Sequence, residues 1–141
     1  MWYIIIIYIM ISSNIITVSF QSLLCILLIG CAAEVKRQPE TLRSAIEETN
    51  AERRAITADV RFTLDSGYER VLRKDTIWRL VGTLAQGNVY ASSDSVFSIE
   101  GAHVHEAYLV VNSGKLVGFY LPVERSFAPL NSTSNINLWE K

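Results

Sequence analysis

The sequence predicts an α+β domain, in which one N-terminal helix is followed by an antiparallel meander sheet of about five to seven strands. One change of periodicity and one turn support this class. Apolar side chains recur every three or four residues up to about residue 58, whereas from Val60 onward they alternate with polar ones. Asn112-Ser113-Gly114 then separates two apolar runs, which is typical of a β-hairpin.

The helix is predicted over residues 39–58. Pro39 suits the first turn of a helix, where its missing N–H costs no hydrogen bond. Glu40 and Glu47-Glu48 lie early and Arg53-Arg54 lies late, an order that complements the helix dipole. The apolar stripe is thin and consists of Leu42, Ile46, Thr49 and Ile56. A thin stripe favours a helix that lies on a sheet over one that reaches a partner.

Strands are predicted where short apolar or alternating runs lie between turn residues. The predicted strands cover residues 60–64, 76–84, 89–91, 96–99, 107–111 and 116–121. Ser66-Gly67 and Gln86-Gly87-Asn88 are turn sequences between them, and Pro122 ends the last hairpin. We therefore expect a single domain over residues 39–130 and a flexible tail over residues 131–141.

The N-terminal segment carries the clearest motif. No Asp, Glu, Lys or Arg precedes Glu34, and residues 15–31 are almost wholly apolar, as in a secretory signal or a membrane span. The segment closes with Leu28, Ile29, Gly30 and Cys31, which resemble the lipobox of bacterial lipoproteins. The resemblance implies cleavage before Cys31 and a thioether-linked diacylglycerol on its thiol. A further acyl chain such as palmitate on the new N-terminus is usual in that family.

On this interpretation, residues 1–30 are a signal peptide and residues 31–38 a lipidated tether. Met10 is an alternative start, because Ser12-Ser13-Asn14 separates an isoleucine-rich stretch from the second apolar run. One alternative remains open. The signal lacks a basic n-region, and Lys36-Arg37 follow the apolar run, so the positive-inside rule would give an uncleaved membrane-anchored protein with a cytoplasmic domain.

Charge and cysteine content narrow the function classes. The chain has 13 Lys+Arg and 14 Asp+Glu, and this balance argues against a nucleic-acid partner, which requires clustered basic residues. Cys25 would leave with the signal and Cys31 would be acylated, so no disulfide is expected. There is no Gly-x-Ser-x-Gly motif and no Gly-rich phosphate loop, and we expect no catalysis and no cofactor besides the covalent lipid.

The only two histidines, His103 and His105, are candidate metal ligands. On a strand, residues i and i+2 point to the same face, so both imidazoles could meet one ion. The third ligand would come from elsewhere, for example from Glu100 or Glu124. Because the set is incomplete, two half-exposed polar residues are the simpler interpretation.

The last predicted hairpin is apolar on both faces. Phe119 and Tyr120 are adjacent in one strand and must face opposite ways, and the same holds for Tyr108 and Leu109. Either the predicted helix covers one face, or Tyr108, Phe119 and Tyr120 contribute to a partner surface.

Together these observations predict a lipid-anchored envelope lipoprotein with a small non-catalytic domain that binds an envelope protein partner. Ala32 follows the cysteine, where inner-membrane-retained lipoproteins of enterobacteria often have Asp. The resemblance thus points to the outer membrane, facing the periplasm, with the inner membrane as the alternative. A periplasmic module that binds a small ligand or a metal through His103 and His105 is the second function class.

Overall fold

The computed structural model describes residues 33–44 and 53–140. Within these residues there is no helix, and 61% of them lie in strands. The predicted α+β class is therefore wrong, and the fold is a mostly-β sheet fold. Over the predicted helix the chain forms three short strands, β1 (Gln38–Pro39), β2 (Arg43–Ser44) and β3 (Arg53–Ile56). Residues 45–52 of that predicted helix lie outside the described residues.

Long-range strand pairing explains why the apolar spacing of this segment wrongly predicted a helix. Ile56 is fully buried in β3, and Leu42 packs against a different apolar cluster, so the two do not form one stripe. Pro39 lies in β1, at the end of the strand order, a position where a residue without an N–H is tolerated. Pairing with distant strands therefore outweighs the weak local preference of this segment for helix.

Six of the ten strands after residue 58 match predicted ones, whereas the strands at residues 69–72, 104–106, 126–135 and 138–140 were not predicted. They are β4 (Val60–Thr63), β5 (Glu69–Leu72), β6 (Ile77–Leu84), β7 (Gly87–Ser92), β8 (Ser98–Glu100), β9 (Val104–Glu106), β10 (Tyr108–Asn112), β11 (Lys115–Leu121), β12 (Ser126–Asn135) and β13 (Leu138–Glu140). The turn between β10 and β11 lies at Ser113-Gly114, where both residues have positive φ. Residues 131–140, predicted as a flexible tail, lie largely in β12 and β13.

All pairings are antiparallel. The main sheet has the order β1-β12-β11-β10-β7-β6-β3-β13, and β2 pairs with β6 outside this path. Two separate hairpins, β4-β5 and β8-β9, complete the described part of the domain. The β4-β5 hairpin contacts β12, where the Ser134 hydroxyl donates to the Arg61 carbonyl at 2.9 Å.

The segment 38–44 forces the sheet to curl. β1 pairs with the side of β12 that faces away from β11, and β2 pairs with the side of β6 that faces away from β7. In a flat sheet these two positions would be six strand spacings apart, or about 29 Å. The four residue steps from Pro39 to Arg43 reach at most about 14 Å. The strands from β6 to β12 must therefore curve until segment 38–44 bridges them.

Both faces of the sheet carry apolar clusters. Phe119 is fully buried in the larger cluster, with its ring centroid 4.7 Å from that of Phe62 and 5.9 Å from that of Phe97. Tyr120, its neighbour in β11, belongs to the smaller cluster. The buried members of the smaller cluster are Leu84, Val89, Val110, Tyr120 and Phe127. The prediction that the last hairpin is apolar on both faces is confirmed.

Gly82 lies where segment 38–44 passes close to β6. A Cβ there would lie 2.4 Å from the Arg43 carbonyl oxygen and 2.9 Å from Leu42 Cδ1. We expect Gly82→Ala to lower the free energy of unfolding by about 1–3 kcal/mol, because the added methyl group must displace backbone. Thr83→Ala is the matched control; its side chain is exposed beside the same pairing, and the change should stay within about 0.5 kcal/mol. Equal denaturant midpoints for both variants would contradict the bridging arrangement.

Candidate functional site

The motif that carries the lipoprotein resemblance, Leu28-Ile29-Gly30-Cys31, lies outside the described residues. The chain divides into two units, residues 1–31 and 32–141. Within residues 33–44 and 53–140, no helix is long and apolar enough to cross a membrane. The predicted site residues that the structure describes are His103, His105, Tyr108, Phe119 and Tyr120.

His105 is the only histidine that the fold buries. It lies in β9 opposite Ile99, and 4% of it is exposed. Its Nδ1 lies 2.5 Å from Oε1 of Glu124, which belongs to the turn between β11 and β12. Because a carboxylate can only accept, Nδ1 carries the hydrogen of this bond. The contact joins β9 to a turn 19 residues further along the chain.

A second carboxylate faces the other ring nitrogen. Oε1 of Glu34 lies 3.9 Å from Nε2 of His105, and the same oxygen accepts a hydrogen bond of 3.0 Å from Arg37. Nε2 itself has no hydrogen-bond partner among the described residues. We refer to Glu34, Arg37, His105 and Glu124 as the His105 cluster. It combines two carboxylates, one guanidinium and one buried imidazole.

The charges of the cluster act on Glu124. Burial alone would raise the pKa of this carboxyl, but the hydrogen bond from His105, a hydrogen bond to its own backbone N–H and the nearby Arg37 together hold the pKa below its ordinary value. Glu124 is thus ionised at neutral pH and accepts a charge-assisted hydrogen bond. Such bonds are stronger than bonds between neutral groups, so this one fixes the β11-β12 turn against β9.

The first residues of the domain pack beside this cluster. Val35 is buried in the larger apolar cluster, and the Ala33 carbonyl accepts a hydrogen bond of 3.1 Å from Ala102 in the β8-β9 turn. Gly101 permits the close approach, because a Cβ there would lie 2.7 Å from Val35 Cγ2. Residues 33–38, predicted as part of a tether, therefore lie against the domain.

For the predicted metal site, the structure places one of the two candidate carboxylates beside His105 but does not provide a complete set of ligands. Glu124 does contact His105, whereas Glu100 lies opposite Val104. His103 is exposed, and its ring centroid lies 6.5 Å from that of His105. Among residues 33–44 and 53–140, no group of three His, Cys, Asp or Glu side chains could hold a metal ion. The His103/His105 site stays a prediction without a third ligand from this part of the chain.

The predicted partner residues are not an exposed surface. Phe119 and Tyr120 are buried, and Tyr108 is half-buried with its ring 6.4 Å from that of Tyr120. Burial and the neighbouring carboxylate of Glu106 raise the pKa of the Tyr108 phenol. The large apolar side chains that are exposed in the described residues lie elsewhere and are Val96, Val104, Val123 and Trp139. No sequence pattern singles them out, since singly exposed apolar side chains are common on protein surfaces.

A pocket of about 170 Å³ between β5, β6 and the loop before β8 was not expected from the sequence. Arg70 and Arg73 line it, yet both guanidiniums are engaged. Arg70 lies 4.7 Å from the Phe97 ring centroid and donates to the Ser98 carbonyl, while Arg73 pairs with Asp59 at 3.0 Å. These contacts give the two arginines structural roles, so the pocket does not present an uncompensated cationic site.

Comparison with known proteins adds no functional residue: no family model, curated protein or solved structure matches this chain. The function therefore has to be argued from the motif and from the geometry of the His105 cluster.

The low pKa of Glu124 makes stability depend on pH in a defined direction. A carboxyl whose folded-state pKa is depressed stabilises the fold above its unfolded pKa of about 4.3, and this contribution is lost as pH falls through the folded pKa. We expect the free energy of unfolding of the wild type to fall more steeply below about pH 4.5 than that of Glu124→Gln, because an amide cannot gain this proton. Urea unfolding at several pH values measures the difference.

The control for this comparison is Glu100→Gln, which changes an exposed carboxylate of β8. This variant leaves the His105–Glu124 hydrogen bond in place, so its stability should keep the steep fall of the wild type at low pH. Parallel profiles for Glu124→Gln and the wild type would contradict the assigned role of the His105–Glu124 hydrogen bond.

Proposed function

We propose that the protein is a bacterial envelope lipoprotein, in which lipidated Cys31 anchors a small β domain that acts by binding a protein partner. The observation that carries this proposal is a coincidence of two boundaries. The lipobox-like motif predicts cleavage immediately before Cys31, and the chain divides into its two units immediately after Cys31. Removal of residues 1–30 would thus leave Cys31 directly before the unit that begins at Ala32.

The ion pairs of Lys36 and Arg37 give these two residues a second explanation besides membrane topology. These residues were the main argument for the alternative, because a basic pair after an apolar run predicts a cytoplasmic domain. Lys36 Nζ lies 2.8 Å from Oδ2 of Asp65, and Arg37 pairs with Glu34. Both basic side chains therefore have a role within the fold that does not depend on membrane topology.

The burial of His105 favours a binding role over catalysis by this imidazole. His105 is almost fully enclosed, and its Nε2 contacts no hydroxyl or thiol within the described residues. A general base must reach the proton that it abstracts to within about 2.6–3.2 Å. An imidazole enclosed in this way is better suited to fixing the β11-β12 turn than to accepting a proton from a substrate.

The location that we propose is the outer membrane, facing the periplasm. Its support is Ala32, which follows the cysteine at the position where retention in the inner membrane often depends on Asp in enterobacterial lipoproteins. The inner membrane is the alternative location. Two or three acyl chains hold a domain on either membrane stably, since each buried methylene contributes about 0.8 kcal/mol.

Replacement of Cys31 tests the proposal directly. In a diderm bacterial host, Cys31→Ser should abolish incorporation of labelled palmitate and leave a precursor of full length, because serine has no thiol to carry the diacylglycerol. Gel mobility and label in the membrane fraction measure both effects.

Cys25→Ser is the matched control, since Cys25 is the only other cysteine and lies within the same leader. This variant should be processed and labelled like the wild type. A Cys31→Ser product that keeps the size and membrane association of the wild type would contradict lipidation and favour an uncleaved span.

A further inference from the structure

The space between the β10-β11 turn and the segment that joins β12 to β13 forms a pocket of about 280 Å³. Asn88 and Tyr90 of β7 line it from the sheet, and as residues i and i+2 of one strand they share a face. Val111, the partner of Asn88 in β10, lies on that face too. We call this space the Tyr90 pocket. It shares no residue with the His105 cluster.

Main-chain hydrogen bonds hold the walls of the Tyr90 pocket in place. The Ile136 N–H donates to the Gly114 carbonyl at 2.8 Å, which ties the connecting segment to the β10-β11 turn. The Thr57 N–H donates to the Asn137 carbonyl at 3.1 Å, which ties the same segment to the residue after β3. A pocket whose walls are fixed before binding spares a ligand the cost of ordering them.

The hydroxyl of Tyr90 is the group that points to a ligand. Only 3% of this residue is exposed, yet its hydroxyl has no hydrogen-bond partner among the residues that the structure describes. The hydroxyl is also not among the polar atoms that are closed off from solvent without a partner. It therefore reaches solvent, and the open space that Tyr90 lines is the pocket. Because a buried tyrosine usually finds a partner for its hydroxyl, a bound molecule would complete the contacts of this one.

The lining of the Tyr90 pocket favours a neutral molecule. Arg54 is the only charged residue in the lining, and it already has a contact of its own within the chain. The other polar side chains include the phenol of Tyr90 and the carboxamides of Asn88 and Asn137. Each of these neutral groups can both donate and accept a hydrogen bond. They are complementary to hydroxyl groups, which also do both.

We infer that the Tyr90 pocket binds a neutral polyhydroxy molecule the size of a single sugar ring. Hydroxyls of this molecule exchange hydrogen bonds with Tyr90, Asn88 and Asn137. Its C–H groups pack against Val111 and Ile136, which give the pocket an apolar side. The volume lies just below the range of sites for drug-sized ligands, which suits one ring rather than a chain of several. This binding goes beyond the proposed function and does not depend on the lipid anchor.

Titration of the full chain with single sugars tests the inference. The protein is labelled with ¹⁵N, purified in a detergent without sugar headgroups, and titrated separately with glucose, galactose, mannose and N-acetylglucosamine. We expect at least one sugar to cause saturable shifts of the Gly114 backbone amide and of the Asn88 and Asn137 side-chain amides. Cyclohexanol keeps a six-membered ring but has one hydroxyl. It should bind at least about tenfold more weakly, because it leaves polar groups of the pocket without partners.

Tyr90→Phe removes only the hydroxyl and should weaken binding of the sugar about threefold to tenfold, as expected for one neutral hydrogen bond. This hydroxyl has no partner within the described part of the chain, so the variant should fold like the wild type. Tyr120→Phe is the matched control, because Tyr120 is buried in the smaller cluster and does not line the pocket. Asn88→Ala, at an exposed position, is a second variant that should weaken binding.

Three results would overturn the inference. The first is the absence of saturable shifts with all of the sugars. The second is equal affinity for a sugar and for cyclohexanol. The third is wild-type affinity in both Tyr90→Phe and Asn88→Ala. Acetate is titrated as well, and tighter binding of acetate than of every sugar would replace the neutral ligand with an anion at Arg54.

Discussion

The bridging of β12 and β6 by residues 38–44 is the constraint on which the rest of the domain depends. In a flat sheet the two strands that this segment joins would lie about 29 Å apart. The residues between them span at most about 14 Å, so the sheet must curl. The curl requires Gly82, because any side chain there would collide with the Arg43 backbone. It also fixes the residues just before β1, and these lead directly to the proposed lipid attachment at Cys31.

Residues 33–38 are packed against the core of the domain. Val35 is buried among residues from several strands, and the Ala33 carbonyl is hydrogen-bonded to the β8-β9 turn. The His105–Glu124 hydrogen bond then fixes the β11-β12 turn against β9.

The sequence predicted those parts of the fold that depend on local alternation. The strand Val60–Thr63 and the hairpin around Ser113-Gly114 were predicted correctly. An alternating strand and a turn with positive φ both require particular residue types, which can be recognised in the sequence. In the described parts of the predicted helix, residues 39–44 and 53–56, the prediction was wrong, because their structure depends on pairing with β12 and β6, which lie tens of residues away. The sequence left two carboxylates, Glu100 and Glu124, as possible neighbours of the histidines. Nothing in the local sequence specifies which of them contacts His105.

Mass spectrometry of the N-terminal peptide after deuterium exchange tests the central claim most directly, which is that a lipidated Cys31 leads straight into folded structure. The peptide that spans residues 31–44 of the membrane-purified protein should start at Cys31, carry the mass of its acyl chains, and exchange slowly at the Glu40 amide, which is bonded to Arg125. A peptide without acyl mass would contradict the anchor. Rapid exchange throughout an acylated peptide would contradict the bridging segment and indicate a free tether.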